Sequence, residues 1–131
     1  ADKARAGGGH LTWLGIHWLD LAMHVTGSPV THVAGFYGNV GGQPVNIEDS
    51  AALSLRFDNG AHGTMVSGYY TKDSLETLIR IWGSEGWLEL TSDAPRQVRW
   101  MNTGAAEALR VLRVIYGFYE AADSGKTVAV E

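Results

Sequence analysis

The chain has no cysteine among its 131 residues. That absence excludes disulfides, thiolate catalysis and sulfur-ligated metal sites, and it fits a reducing, cytoplasmic setting. Positive charge is scarce too: ten lysines and arginines face fourteen acids, for a net charge of −4. Such a balance offers no cationic field to nucleic acid or anionic lipid. His17 and Asp20 interrupt the first long apolar stretch, so the sequence predicts neither a membrane span nor a signal peptide. Nothing strand-like precedes Gly7-Gly8-Gly9, and neither G-x-G-x-x-G nor a Walker sequence can be laid over it. Ser50, Ser54 and Ser67 have no nucleophile-elbow context, which leaves acyl transfer unsupported.

What is abundant is glycine, at 17 of 131 residues, about twice the roughly 7% of ordinary proteins. Many tight turns and close backbone approaches follow from that. The length suits one domain, residues 1–131, with its own hydrophobic core, and is short for two.

The opening stretch, residues 10–25, reads as a helix stopped by Gly27 with Pro29 beyond. On a helical wheel Leu11, Leu14, Trp18, Leu21 and Val25 form one stripe, and Ile16, Leu19 and Met23 lie opposite. His10, Trp13, His17, Asp20 and His24 occupy the sector between. A helix apolar on nearly every side needs cover from a partner. Residues 30–39 are β-branched and aromatic, and 49–57 alternate strictly, with Ala51, Leu53, Leu55 and Phe57 on one face. Asp58-Asn59-Gly60 is a hairpin turn returning along 61–70. A second hairpin joins 75–82 to 87–91 around Gly83-Ser84-Glu85-Gly86, and 97–101 is a candidate edge strand. A closing helix over 105–124 places Leu109, Leu112, Ile115 or Tyr116, and Tyr119 on its apolar face. Gly125 caps it, and 127–130 form an extended tail. Helix, antiparallel strands, helix is the order of an α+β fold: an open-faced, predominantly antiparallel sheet with helices packed on one face.

His17 is the foremost chemical candidate, since an imidazole can exchange a proton with a hydroxyl or carbonyl. On spacing alone, a core histidine bonded to Asp20 one turn away is the plainer reading. His10, His17 and His24 recur every seven residues, and Asp20 with His24 has a spacing that suits two ligands of one ion. His10 and His17, however, are separated by about 10 Å of helical rise, and an Asp–His side-chain pair explains Asp20 and His24 as well. Tyr69, Tyr70, Thr71 and Lys72 follow a strand and could line a pocket, or simply end it as a polar loop. Trp82 and Trp87 flank a turn and are expected to pack across the hairpin rather than bind sugar.

Gly7-Gly8-Gly9 with Gly15-Ile16-His17-Trp18-Leu19-Asp20 resembles the start of the substrate-domain helix in the glucose–fructose oxidoreductase/inositol dehydrogenase (Gfo/Idh/MocA) family. Ile47-Glu48-Asp49-Ser50-Ala51 and the run from Leu55 to Gly63 resemble that domain's central hairpin. Ile81-Trp82-Gly83-Ser84-Glu85-Gly86-Trp87-Leu88 is similar to its glycine turn, and residues 112–130 to its closing helix and tail. The resemblance implies the carboxy-terminal half of a two-domain oxidoreductase whose Rossmann domain, absent from these residues, binds NAD or NADP. This half would supply the substrate wall for a sugar, polyol or related hydroxy compound, and a homo-oligomer interface on its open sheet face. It would hold no cofactor or metal and be inactive alone. His17 matches the family's proton-transferring histidine, and Asp20 a position expected to orient or pack.

The sequence departs from the family at Trp13, where many members carry an aspartate four residues before the histidine. A strand ahead of the glycine run, and a longer stretch between Leu90 and Ala105, are also missing. Two rival readings stand beside this one: a non-catalytic assembly module, and a metal-dependent hydrolase using His17, Asp20 and His24.

Overall fold

Alternation at the centre of the chain translates directly into a strand with one buried face. In the computed structural model, residues 6–42, 44–69, 77–91 and 105–130 are described. Strand β1 is Val30–Gly38, β2 is Ser50–Phe57 and β3 is His62–Gly68. In β2, Ala51, Leu53, Leu55 and Phe57 are buried while Ala52, Ser54 and Arg56 are exposed, as a period of two requires. The β2–β3 turn closes at Gly60, whose φ of 87° suits glycine.

Two units divide the chain: Ala1–Tyr69 with Thr103–Glu131, and Tyr70–Asn102. In the first, helix α1 is Ile16–Thr26, preceded by a π-helical turn over Leu11–Gly15. Helix α2 is Ala105–Ser124. The tail residues Val128–Ala129 form a short strand, here β6, that pairs antiparallel with β1. The sheet order is β3-β2-β1-β6, antiparallel throughout. The extended tail read from sequence is therefore an edge strand, because β1 leaves an unpaired edge for it.

Helix α1 ends as its sequence specifies. Gly27 takes a φ of 60°. Its N–H bonds the His24 carbonyl, and that of Ser28 bonds the Met23 carbonyl, which is a Schellman cap. The end is tied to the hairpin tip: Asn59 N–H bonds Ser28 Oγ at 3.0 Å, and its side-chain amide bonds the Thr26 carbonyl.

The core joins Leu11 and Leu19 to the buried face of β1 and β2 and to Val111, Val114, Ile115 and Phe118 of α2. Of the expected α2 face, Ile115 is in the core and Tyr119 packs against it, but the rest of the face differs. Leu109 and Tyr116 are half exposed, whereas Val111, Val114, Phe118 and Ala121 are buried. The helix carries apolar residues on two adjoining stripes, and the one running through Val111, Val114, Ile115 and Phe118 faces the core. Gly117 sits within that contact: a Cβ there would meet Val130 at 3.4 Å and Val33 at 3.6 Å.

On the opposite face, cross-strand register builds three rows. One is Phe36–Ala52–Val66, with Phe36 79% and Val66 72% exposed. The next is Ala34–Ser54–Thr64, and the third is His32–Arg56–His62.

The second unit contains β4 (Leu78–Trp82) and β5 (Trp87–Thr91), a separate antiparallel pair. Trp82 stands opposite Trp87, as expected, and Arg80 opposite Glu89. Arg80 bonds the Glu89 carboxylate and lies 5.9 Å from the Trp82 ring centroid. The candidate edge strand at 97–101 lies outside the described residues.

Candidate functional site

Helix α1 presents His17 on an exposed surface. Trp13, four residues earlier, is 62% exposed, and His24 is exposed two turns later. Asp20 is half buried and lines a cavity of about 220 Å³ with His24, Ser28 and Arg110. A second cavity of about 200 Å³ lies beside Tyr37, Asn39 and Glu48. Both are smaller than the roughly 300 Å³ at which ligand pockets begin, and His17 lines neither. The imidazole thus stands on an open helical face, not within a closed pocket of the described residues.

Of the other sequence candidates, Tyr69 directly follows β3, and its ring meets His10 edge-on with centroids 4.2 Å apart. Tyr70 and Lys72 lie outside the described residues. Among the described residues no three histidines, aspartates or glutamates lie close enough to hold a metal ion, so the hydrolase alternative gains no geometric support from them.

His10 does not share the His17 sector. It is 5% exposed, and its Nδ1 lies 2.8 Å from Ser67 Oγ in a shared hydrogen bond. The wheel reading assumed an even 3.6 residues per turn, and the π-helical turn breaks that assumption. Burial pushes the His10 pKa below its usual value, against the opposing charges of Glu48 and Asp49.

A buried polar cluster under this turn escaped the sequence reading. Glu48 is 7% exposed. Its Oε1 accepts from Tyr119 OH at 2.6 Å and from Leu11 N–H at 3.3 Å. Its backbone carbonyl accepts His10 N–H at 3.0 Å. Because the Tyr119 proton points to the carboxylate, the Thr12 hydroxyl, 3.1 Å away, donates to Tyr119. Burial, then the bond to Glu48, raises the Tyr119 pKa well above the ordinary tyrosine value. Asp49, 1% exposed, accepts from Val40 and Gly41 N–H, each at 2.8 Å. The one sequence signal for this cluster was an acidic pair placed directly before an apolar strand.

The glycine run serves the same cluster. A Cβ on Gly8 would come within 3 Å of Thr12 Oγ1 and Tyr119 OH, and one on Gly9 would meet the Glu48 backbone oxygen at 2.1 Å. A phosphate cradle needs open space before its amides. Here that space is filled by the protein's own side chains, so these residues do not fit a dinucleotide.

The first unit is thus an open antiparallel sheet with two helices packed against it, and His17 is exposed on the first of them. The chain belongs to the GFO/IDH/MocA C-terminal domain family, matched over residues 1–89. It is similar in structure to GenD2 of gentamicin A biosynthesis, solved with NAD, with a TM-score of 0.84 at 18% identity over 99% of this chain and 50% of that one. The WlbA dehydrogenase of Bordetella pertussis, solved with NADH and UDP-GlcNAcA, gives 0.80 at 21% identity over 95% and 46%. The myo-inositol 2-dehydrogenase of Lactobacillus plantarum gives 0.81 at 15% identity over 98% and 50%. The chain therefore spans about half the length of these structures. No curated protein sequence matches it. Among the described residues no helix is long and apolar enough to cross a membrane.

Proposed function

We propose that these residues are the substrate-binding and oligomerisation domain of a larger NAD(P)-dependent oxidoreductase acting on a sugar, polyol or related hydroxy compound. His17 exchanges the proton at the substrate oxygen. The observation that carries this reading is the exposed imidazole on the helix that opens a Gfo/Idh/MocA domain. A core histidine would be enclosed, as His10 is. The cofactor belongs to a neighbouring Rossmann domain, and the hydride half of the reaction lies outside this chain. Trp13 offers the substrate an apolar wall in place of a carboxylate relay. Asp20, Tyr69, Tyr70 and Lys72 are the further candidates for that wall.

The open sheet face supports the second role. Monomeric proteins rarely leave contiguous apolar area uncovered, and the Phe36–Ala52–Val66 row is such a surface. A homo-oligomer formed there would leave the helices on the other face free to meet the cofactor domain.

The test uses the full-length enzyme with NAD+ and NADP+ against a panel of aldoses and cyclic polyols. His17→Ala is expected to lower kcat by about 100-fold or more, the usual share of a general acid–base group, with assembly unchanged. Unchanged turnover in His17→Ala favours the assembly-module reading. A wild-type enzyme that turns over nothing in the panel overturns the substrate assignment.

A further inference from the structure

The buried cluster beneath the opening turn takes no part in the proton transfer assigned to His17, yet it carries a cost. A carboxylate removed from water must recover its lost hydration from nearby donors. Glu48 does so by gripping one short stretch of backbone. Its side chain takes the Leu11 N–H and its carbonyl takes the His10 N–H. Tyr119 reaches across from α2 to the same carboxylate oxygen, and Thr12 closes on Tyr119. Residues 10, 11 and 12 are therefore tied at the point where the π-helical turn begins.

That turn decides what α1 displays. One residue more or less in a helical turn rotates everything after it by about 100°, the twist of a single α-helical residue. π-helical turns recur at functional sites for this kind of reason. Relaxation of Leu11–Gly15 to α-helical pitch would carry His17 away from its present face.

The geometry points to Glu48 and Tyr119 as a positioning pair: the buried carboxylate pins the first residue of the wide turn, and the turn fixes the rotation at which His17 meets the substrate. This rests on the assignment of His17 as the proton-transferring group. Neither residue touches the substrate. Both act through the helix.

The experiment uses the full-length enzyme and the panel substrate that the wild type turns over fastest. Tyr119→Phe removes one oxygen, Glu48→Leu removes both acceptors, and Glu48→Gln keeps an acceptor of the same shape. Tyr119→Phe and Glu48→Leu are expected to lower kcat about tenfold, since misplacement by about 1 Å can cost up to about 100-fold. KM for substrate and dinucleotide should stay within twofold, and Glu48→Gln should recover most of the loss. If Glu48→Leu does not fold, Tyr119→Phe decides alone. A kcat within twofold of wild type, or a loss explained by a smaller active fraction, overturns the proposal. An inactive His17→Ala beside a fully active Tyr119→Phe removes only the positioning role. An active His17→Ala removes the assignment beneath it as well.

Discussion

Two glycine-to-alanine changes, identical in chemistry, are expected to move stability in opposite directions. Gly9 has no positive φ, so its backbone accepts alanine and only the space around it matters. An added Cβ would stand 2.1 Å from the Glu48 carbonyl oxygen and 2.4 Å from Oε2 of the same residue. These are backbone and buried carboxylate atoms, so the segment leading into β2 and the opening turn must part. The bonds at risk are His10 N–H to the Glu48 carbonyl and Leu11 N–H to the carboxylate. An amide–carbonyl bond contributes about 1 kcal/mol and a bond to a charged group about 1.5–3 kcal/mol, giving a loss of about 2.5–4 kcal/mol. Gly63 in β3 has nothing within 4 Å of where a Cβ would sit. Alanine there removes unfolded-chain freedom and should stabilise by about 0.5–1 kcal/mol. Urea titration of the 131-residue chain by tryptophan fluorescence should therefore separate the two variants by about 3–5 kcal/mol. A Gly9→Ala protein within about 0.5 kcal/mol of wild type would refute the reasoning, because a contact that short cannot be absorbed without breaking something.

Two further outcomes follow from other parts of the molecule. The pKa of His10 is lowered in the fold, so below the free value of 6.5 the unfolded chain takes up a proton that the folded chain resists. Its contribution to stability is complete above that pH and is lost as pH falls through the folded value. His10→Asn should flatten the difference in unfolding free energy between pH 7.5 and lower pH, and an unchanged slope would count against it. On the open sheet, Phe36→Asp puts a carboxylate into the apolar row. It should shift the chain toward monomer in light scattering at micromolar concentration while leaving its circular dichroism intact. A wild-type chain already monomeric there would remove the assembly surface.

Local rules made much of the fold legible. Strict alternation named the buried face of β2, and Asp58-Asn59-Gly60 named its turn. Gly27 stopped α1, and the span of α2 matched its expected limits residue for residue. Each depends on side chains or φ angles within a few positions. The less visible features were those in which distant segments compete for one place. Tyr119 is 71 residues from Glu48, and Ser67 is 57 from His10. No window of sequence contains either pair. On α2, Ile115 was read correctly, but Leu109 is half exposed while Val111, Val114 and Phe118 take the core, because a helix with two adjoining apolar stripes leaves the choice to the surface it meets.

The sequence by itself determined the order of elements, the strand faces, the hairpin and helix ends, and the helix that bears His17, because hydrophobic period and glycine geometry act over short distances. Only the tertiary structure decided that His10 turns inward while His17 faces out. The reason is the π-helical turn between them, held by a buried carboxylate whose partners come from two distant parts of the chain, the opening turn and α2.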